Sequence, residues 1–120
     1  LVAMTLNPDI LGTDVLTRLL WSRIPETRAL CPKGLGIVPY TLPGSQELAD
    51  RTIALLDDYD VVMWTKHGAL AIGTDLIEAF DQIDVLSKSA KIYESARSMG
   101  FVPTGMSDAE MQELKEVFGL

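Results

Sequence analysis

The sequence predicts a layered α/β domain whose sheet is at least partly antiparallel, and three observations carry that prediction. Two short apolar runs, Tyr59 to Thr65 and Ala69 to Ile72, are separated only by Lys66-His67-Gly68, so they must pair as antiparallel neighbours. Segments with helical apolar spacing and N-cap residues flank these runs on both sides. The 120 residues, 48% of them hydrophobic, are enough for the core of one small domain, and no repeat, low-complexity tract or linker divides them.

In chain order, Thr13 is a plausible N-cap for a helix over about 14–22, with Val15, Leu16, Leu19 and Leu20 on one face. Arg28-Ala29-Leu30-Cys31, after Pro25, reads as a short strand. Pro32 to Gly36 is a loop leading into an extended piece, Ile37 to Tyr40, where Pro39 argues for an edge or a strand end. Leu42 to Ser45 is a turn, and Ser45 caps a helix to about 57 with Ala49, Ile53 and Leu56 at helical spacing. After the paired strands, Thr74 caps a long helix to about Ser98, with an apolar stripe of Leu76, Phe80, Ile83, Leu86, Ala90 and Tyr93 and with Gly100 near its stop. At ~37 Å such a helix is longer than a small domain needs, which implies packing across a larger body. The last helix is coded most clearly: Ser107-Asp108-Ala109-Glu110 is a capping box, Met106 and Met111 are spaced as its hydrophobic staple, and Gly119 ends it.

Composition excludes several classes of function. Ten Lys and Arg against 17 Asp and Glu give a net charge of −7, which repels phosphate backbones and anionic membrane surfaces, so neither nucleic acid nor membrane is an expected partner. The apolar runs fall far short of the ~20 residues of a membrane span. No signal peptide is evident, which makes a cytoplasmic location the expectation. The single cysteine, Cys31, cannot form an internal disulfide and reads as a small buried apolar residue. The Gly34/Gly36 loop lacks G-x-G-x-x-G spacing and leads into a strand, which argues against a nucleotide cradle. Asp57, Asp58 and Asp60 read as a solvated helix end, because adjacent side chains there diverge.

The chain's only histidine, His67, stands where an apolar strand ends before Gly68. An imidazole on a rigid strand end, beside a turn that leaves room for a small molecule, suits a metal ligand. On residue type alone a hydrogen-bonded structural histidine is the alternative. Zinc takes three or four protein ligands, so the others must lie elsewhere or the site does not exist.

Several motifs together resemble one family: His67-Gly68 after its strand, Gly34-Leu35-Gly36-Ile37-Val38-Pro39 followed by Pro43-Gly44, and the helix holding Ile83-Asp84 and Lys88-Ser89-Ala90 and closing on Ser98-Met99-Gly100. They resemble the C-terminal half of the class II, zinc-dependent sugar-phosphate aldolases of the aldolase/adducin family, over nearly the whole chain. The resemblance implies an α/β/α fold with a mixed, largely antiparallel sheet, present over residues 1–120 as the C-terminal portion of a single domain. The opening Leu1-Val2-Ala3-Met4, without an initiator Met, fits that reading: it looks like the helix just beyond the family's His-x-His zinc pair. It further implies that His67 is one zinc ligand of three, and that the pair, the general base and the phosphate-binding residues lie upstream. By its distance from Arg18-Leu19-Leu20-Trp21, Glu26 matches a glutamate that reaches a neighbouring subunit's active site as a catalytic acid/base. The implied chemistry is reversible aldol cleavage of a ketose 1-phosphate, a sugar-phosphate substrate, by a cytoplasmic homotetramer. The five lysines, all in polar turns or on solvated helix faces, offer no Schiff-base nucleophile. Two other expectations remain: an adducin-like binding or scaffold module that keeps the fold without the metal, and a piece that completes its site with a separate N-terminal chain.

Overall fold

The computed structural model describes residues 1–120. Two short 3-10 turns, Val2–Leu6 and Pro8–Ile10, lead into helices α1 (Thr13–Trp21) and α2 (Pro25–Leu30). Strand β1 (Leu35–Val38), helix α3 (Gln46–Leu55), strands β2 (Val61–Trp64) and β3 (Gly68–Ala71), and helices α4 (Leu76–Ser98) and α5 (Asp108–Phe118) follow. No helix is long and apolar enough to cross a membrane.

The three strands form one mixed sheet in the order β1-β2-β3. The connection from β1 to β2 carries α3, a crossover that returns the chain in the same direction, so these strands are parallel, with Leu35 beside Val61 and Val38 beside Trp64. The β2–β3 connection is too short for a crossover, and the strands are antiparallel with Trp64 opposite Gly68. Alternation then sorts side chains onto two faces. Leu35, Val61 and Met63 pack against Leu16 and Leu20 of α1 and Val85, Leu86 and Ala90 of α4. Val38 and Val62 pack against Leu48 of α3, with Leu55, Leu56 and Trp64 closing round them. The sheet thus lies between α3 on one face and α1 with α4 on the other.

Four local expectations are corrected. Arg28 to Cys31 is not a strand: residues through Leu30 belong to α2 and Cys31 caps it. Pro25 at the first helical position pre-sets its φ, and Glu26 lies in the first turn where the helix dipole favours it. On α3 the buried face is Leu48 and Thr52, while Ala49 and Ile53 are exposed. On α4 it is Gln82, Val85, Leu86, Ser89 and Ala90, whereas Leu76 and Phe80 are 88% and 66% exposed. The Gln82 amide donates to the Ile72 carbonyl (3.0 Å) and fixes this rotation. Finally, the caps shift by one residue: Gly12 caps α1 with Thr13 already helical, and Asp75 caps α4 by accepting the Glu78 N–H (2.8 Å).

Other local readings hold. Ser45 caps α3 and the hairpin has its expected partners. The capping box on α5 is complete, with the Glu110 carboxylate accepting both the Ser107 N–H (2.7 Å) and hydroxyl (2.8 Å), contacts that lower its pKa. Gly119, at φ 67°, ends α5 in the left-handed conformation.

Candidate functional site

The turn carrying His67 is held from three directions. Thr65 gives both its N–H (3.1 Å) and its hydroxyl (2.9 Å) to the Val38 carbonyl, fastening the end of β2 to β1. From α3, the Thr52 hydroxyl donates to the Leu48 carbonyl (2.6 Å) and accepts the indole N–H of Trp64 (3.0 Å). The Trp64 ring, so oriented, stacks on the His67 imidazole with centroids 5.2 Å apart and planes inclined by 29°. From the first residues of the chain, the Thr5 hydroxyl donates to the Val2 carbonyl (2.7 Å) and accepts the Lys66 N–H (2.9 Å). Lys66 sits at φ 64°, and the turn closes with His67 N–H on the Trp64 carbonyl (3.0 Å).

This frame presents the imidazole outward. His67 is exposed, supported on one ring face by Trp64, with its side-chain nitrogens outside the hydrogen-bond network. An outward ring nitrogen on a fixed base is what a single metal ligand requires. It is not a complete site. No three His, Cys, Asp or Glu residues converge in a metal-holding group, and a zinc ion needs three or four.

Glu26 occupies the first turn of α2 and is exposed. The helix beneath it is firmly seated: the Thr27 and Ser89 hydroxyls hydrogen-bond to each other in the interior, the Trp21 indole donates to the Cys31 carbonyl (2.9 Å), and the Arg28 guanidinium lies 4.3 Å from the Trp21 ring centroid. The structure does not join Glu26 to His67. They share no hydrogen bond, and neither lines a principal cavity.

Two other nucleophile classes are disfavoured by their surroundings. Cys31 is buried, and burial, with the Asp60 charge adding to it, pushes its thiol pKa up to about 12, so it stays protonated. All five lysines are exposed, and the hydrogen bond and charge of Asp84 hold Lys88 more firmly protonated. Cys31 and Lys88 therefore lack the depressed pKa of a covalent nucleophile. The supports of His67 escaped the reading of the sequence. Trp64, three residues ahead of it at a strand end, carried a usable signal; Thr5 and Thr52 carried none, because their roles arise only from tertiary packing.

A family model described as the class II aldolase and adducin N-terminal domain matches residues 12–94. The chain is 59% identical over its full 120 residues to a rhamnulose-1-phosphate aldolase of Bacteroides thetaiotaomicron, covering 45% of that protein, and 33% identical to one of Enterococcus faecalis, covering 43%. Among solved structures, a sugar-phosphate aldolase from Thermotoga maritima superimposes with a TM-score of 0.74 at 32% identity, over 87% of this chain and 44% of that one. The chain therefore spans less than half the length of each of these three relatives.

Proposed function

The chain belongs to the class II aldolase and adducin family, and from that premise we propose that it is the downstream portion of a zinc-dependent aldolase that reversibly cleaves L-rhamnulose 1-phosphate to dihydroxyacetone phosphate and L-lactaldehyde. Residues 1–120 form the later part of a single domain whose remaining ligands, general base and phosphate-binding residues lie upstream. The carrying observation is the His67 turn, an open imidazole backed by Trp64 and docked through Thr5 against the first turn of this chain. On this reading a His-x-His pair lies ahead of Leu1, and Thr5 ties the first residues of this chain to the turn that carries His67.

When bound, the zinc ion supplies Lewis-acid stabilisation of the negative charge left when the C–C bond breaks. This chain's residues hold and orient. His67 provides one ligand, with the Thr52–Trp64 contact fixing its ring. Glu26 reaches a neighbouring subunit's site and exchanges a proton with the aldehyde oxygen, a role worth about 10²–10⁴-fold in rate. The assembly is a cytoplasmic homotetramer of rhamnose metabolism acting on a sugar phosphate.

The second reading is a non-catalytic adducin-like binding or scaffold module that keeps the fold without the metal. The upstream sequence separates the two: His-x-His ahead of Leu1 supports the enzyme, and its absence supports the module. The test of activity is dihydroxyacetone phosphate release from L-rhamnulose 1-phosphate by the polypeptide carrying its upstream sequence. Turnover that survives metal chelation, or no turnover with metal bound, overturns the reading.

A further inference from the structure

A cavity of ≈490 Å³ lies between α1, α5 and the loop from α2 to β1, and neither His67 nor Glu26 lines it. Four cations line it, Arg18, Arg28, Lys33 and Lys115, against two carboxylates, Asp14 and Asp108. That excess of positive charge occurs in a chain whose net charge is −7. Two of the cations are already neutralised, Arg18 by Asp108 and Lys33 by Asp60. The chain's other ion pairs, Arg51–Glu47 and Lys88–Asp84, lie elsewhere, so Arg28 and Lys115 face the cavity with no carboxylate partner.

Arg28 is the unusual member. Only 6% of it is exposed, its guanidinium is stacked on Trp21, and the one hydrogen bond it donates goes from Nη1 to the Pro32 carbonyl (3.2 Å). Burial lowers its pKa, but a guanidinium remains charged at any ordinary pH. A buried arginine without a counter-ion is expensive to hold, and its planar fork matches the oxygens of a phosphate. Because Trp21 fixes the plane of the guanidinium, the ordering cost of binding is already met.

We propose that this cavity binds a small phosphate-bearing anion, the phosphate meeting Arg28 and Lys115, with Asp14 placed on the wall to accept hydroxyl groups of a polyol attached to it. Its volume lies within the ~300–1,000 Å³ of small-molecule sites. The proposal is independent of the aldolase reading, since neither His67 nor Glu26 lines the cavity.

The experiment is an NMR titration of the chain with inorganic phosphate, glycerol 3-phosphate and glycerol, following amides of α1 and α5. The expected result is saturable shifts clustered around Thr17, Asp108 and Lys115 with both phosphates and none with glycerol. Tighter binding of glycerol 3-phosphate selects phosphorylated polyols; equal binding selects the phosphate group alone. Arg28→Gln weakens binding at least tenfold, and Lys115→Gln, on an exposed helix face where folding is not at risk, about threefold. Arg51→Gln, outside the cavity, leaves it unchanged. Shifts scattered over the surface, no saturation, or equal affinity in Lys115→Gln and the parent chain overturns the proposal.

Discussion

The seat of α2 on α4, and with it the position of Glu26, depends on one buried polar contact that can be tested quantitatively. Thr27 and Ser89 are each 0% exposed, and their hydroxyls satisfy one another across the α2–α4 interface. Ser89→Ala removes one partner and leaves the Thr27 hydroxyl buried without a replacement, a desolvation penalty of about 1–3 kcal/mol. At this chain length, where 1 kcal/mol corresponds to ~4 °C, a 2 kcal/mol loss lowers the melting temperature by ~8 °C. Thr27→Val alone does the same to the Ser89 hydroxyl. The double variant replaces both hydroxyls by apolar groups of similar shape, so its cost falls well below the sum, with a coupling energy of about 1–2 kcal/mol. Urea denaturation of the four proteins with a common m-value measures this cycle. A Ser89→Ala cost within about 0.3 kcal/mol of zero, or strictly additive costs, would refute the reasoning.

Three further outcomes are expected. Gly105 has φ +69°, and a Cβ there would stand 2.6 Å from the Ser22 carbonyl oxygen, so Gly105→Ala should cost more than ~2 kcal/mol and loosen α5, read as faster amide exchange over Asp108–Phe118. Because the folded-state pKa of Cys31 is raised to about 12, its contribution to stability is complete below the unfolded thiol's value near ~8.5 and is lost as pH rises toward 12. Unfolding free energy should therefore fall over that window by at most about 1.4 kcal/mol per pH unit, and Cys31→Ala should flatten the slope. Dialysed against zinc, the 120-residue chain alone should retain less than one equivalent by elemental analysis, since it brings only one histidine ligand.

The parts of the fold legible in the sequence are those written in local code. The hairpin follows from two apolar runs too close together to be anything but antiparallel neighbours, and α5 from a capping box whose donors and acceptors lie within four residues. The parallel pairing of β1 with β2 is non-local and has no such code. α2 was hidden because Arg28 to Cys31 is too short for its period to distinguish helix from strand; the Thr27–Ser89 and Arg28–Trp21 contacts decide it. The face of α4 is legible only in part: Leu86 and Ala90 of its apolar stripe are buried, but Gln82 and Ser89, both polar and both anchored through hydrogen bonds, complete the buried side. Of the candidate site, the sequence itself offers His67, the chain's only imidazole, near a strand end. The tryptophan behind it and the threonines that fix the turn become visible only when α3 and the first residues of the chain are folded against it.

Metal content bears most directly on the role of His67. In the polypeptide carrying its upstream sequence, His67→Ala should leave the fold intact, because the exposed ring contributes only one stack, yet reduce bound zinc from about one equivalent per chain to below ~0.1 after dialysis and remove aldol cleavage in parallel. Zinc retained at full stoichiometry in His67→Ala would show that the imidazole is not a ligand and would contradict the account.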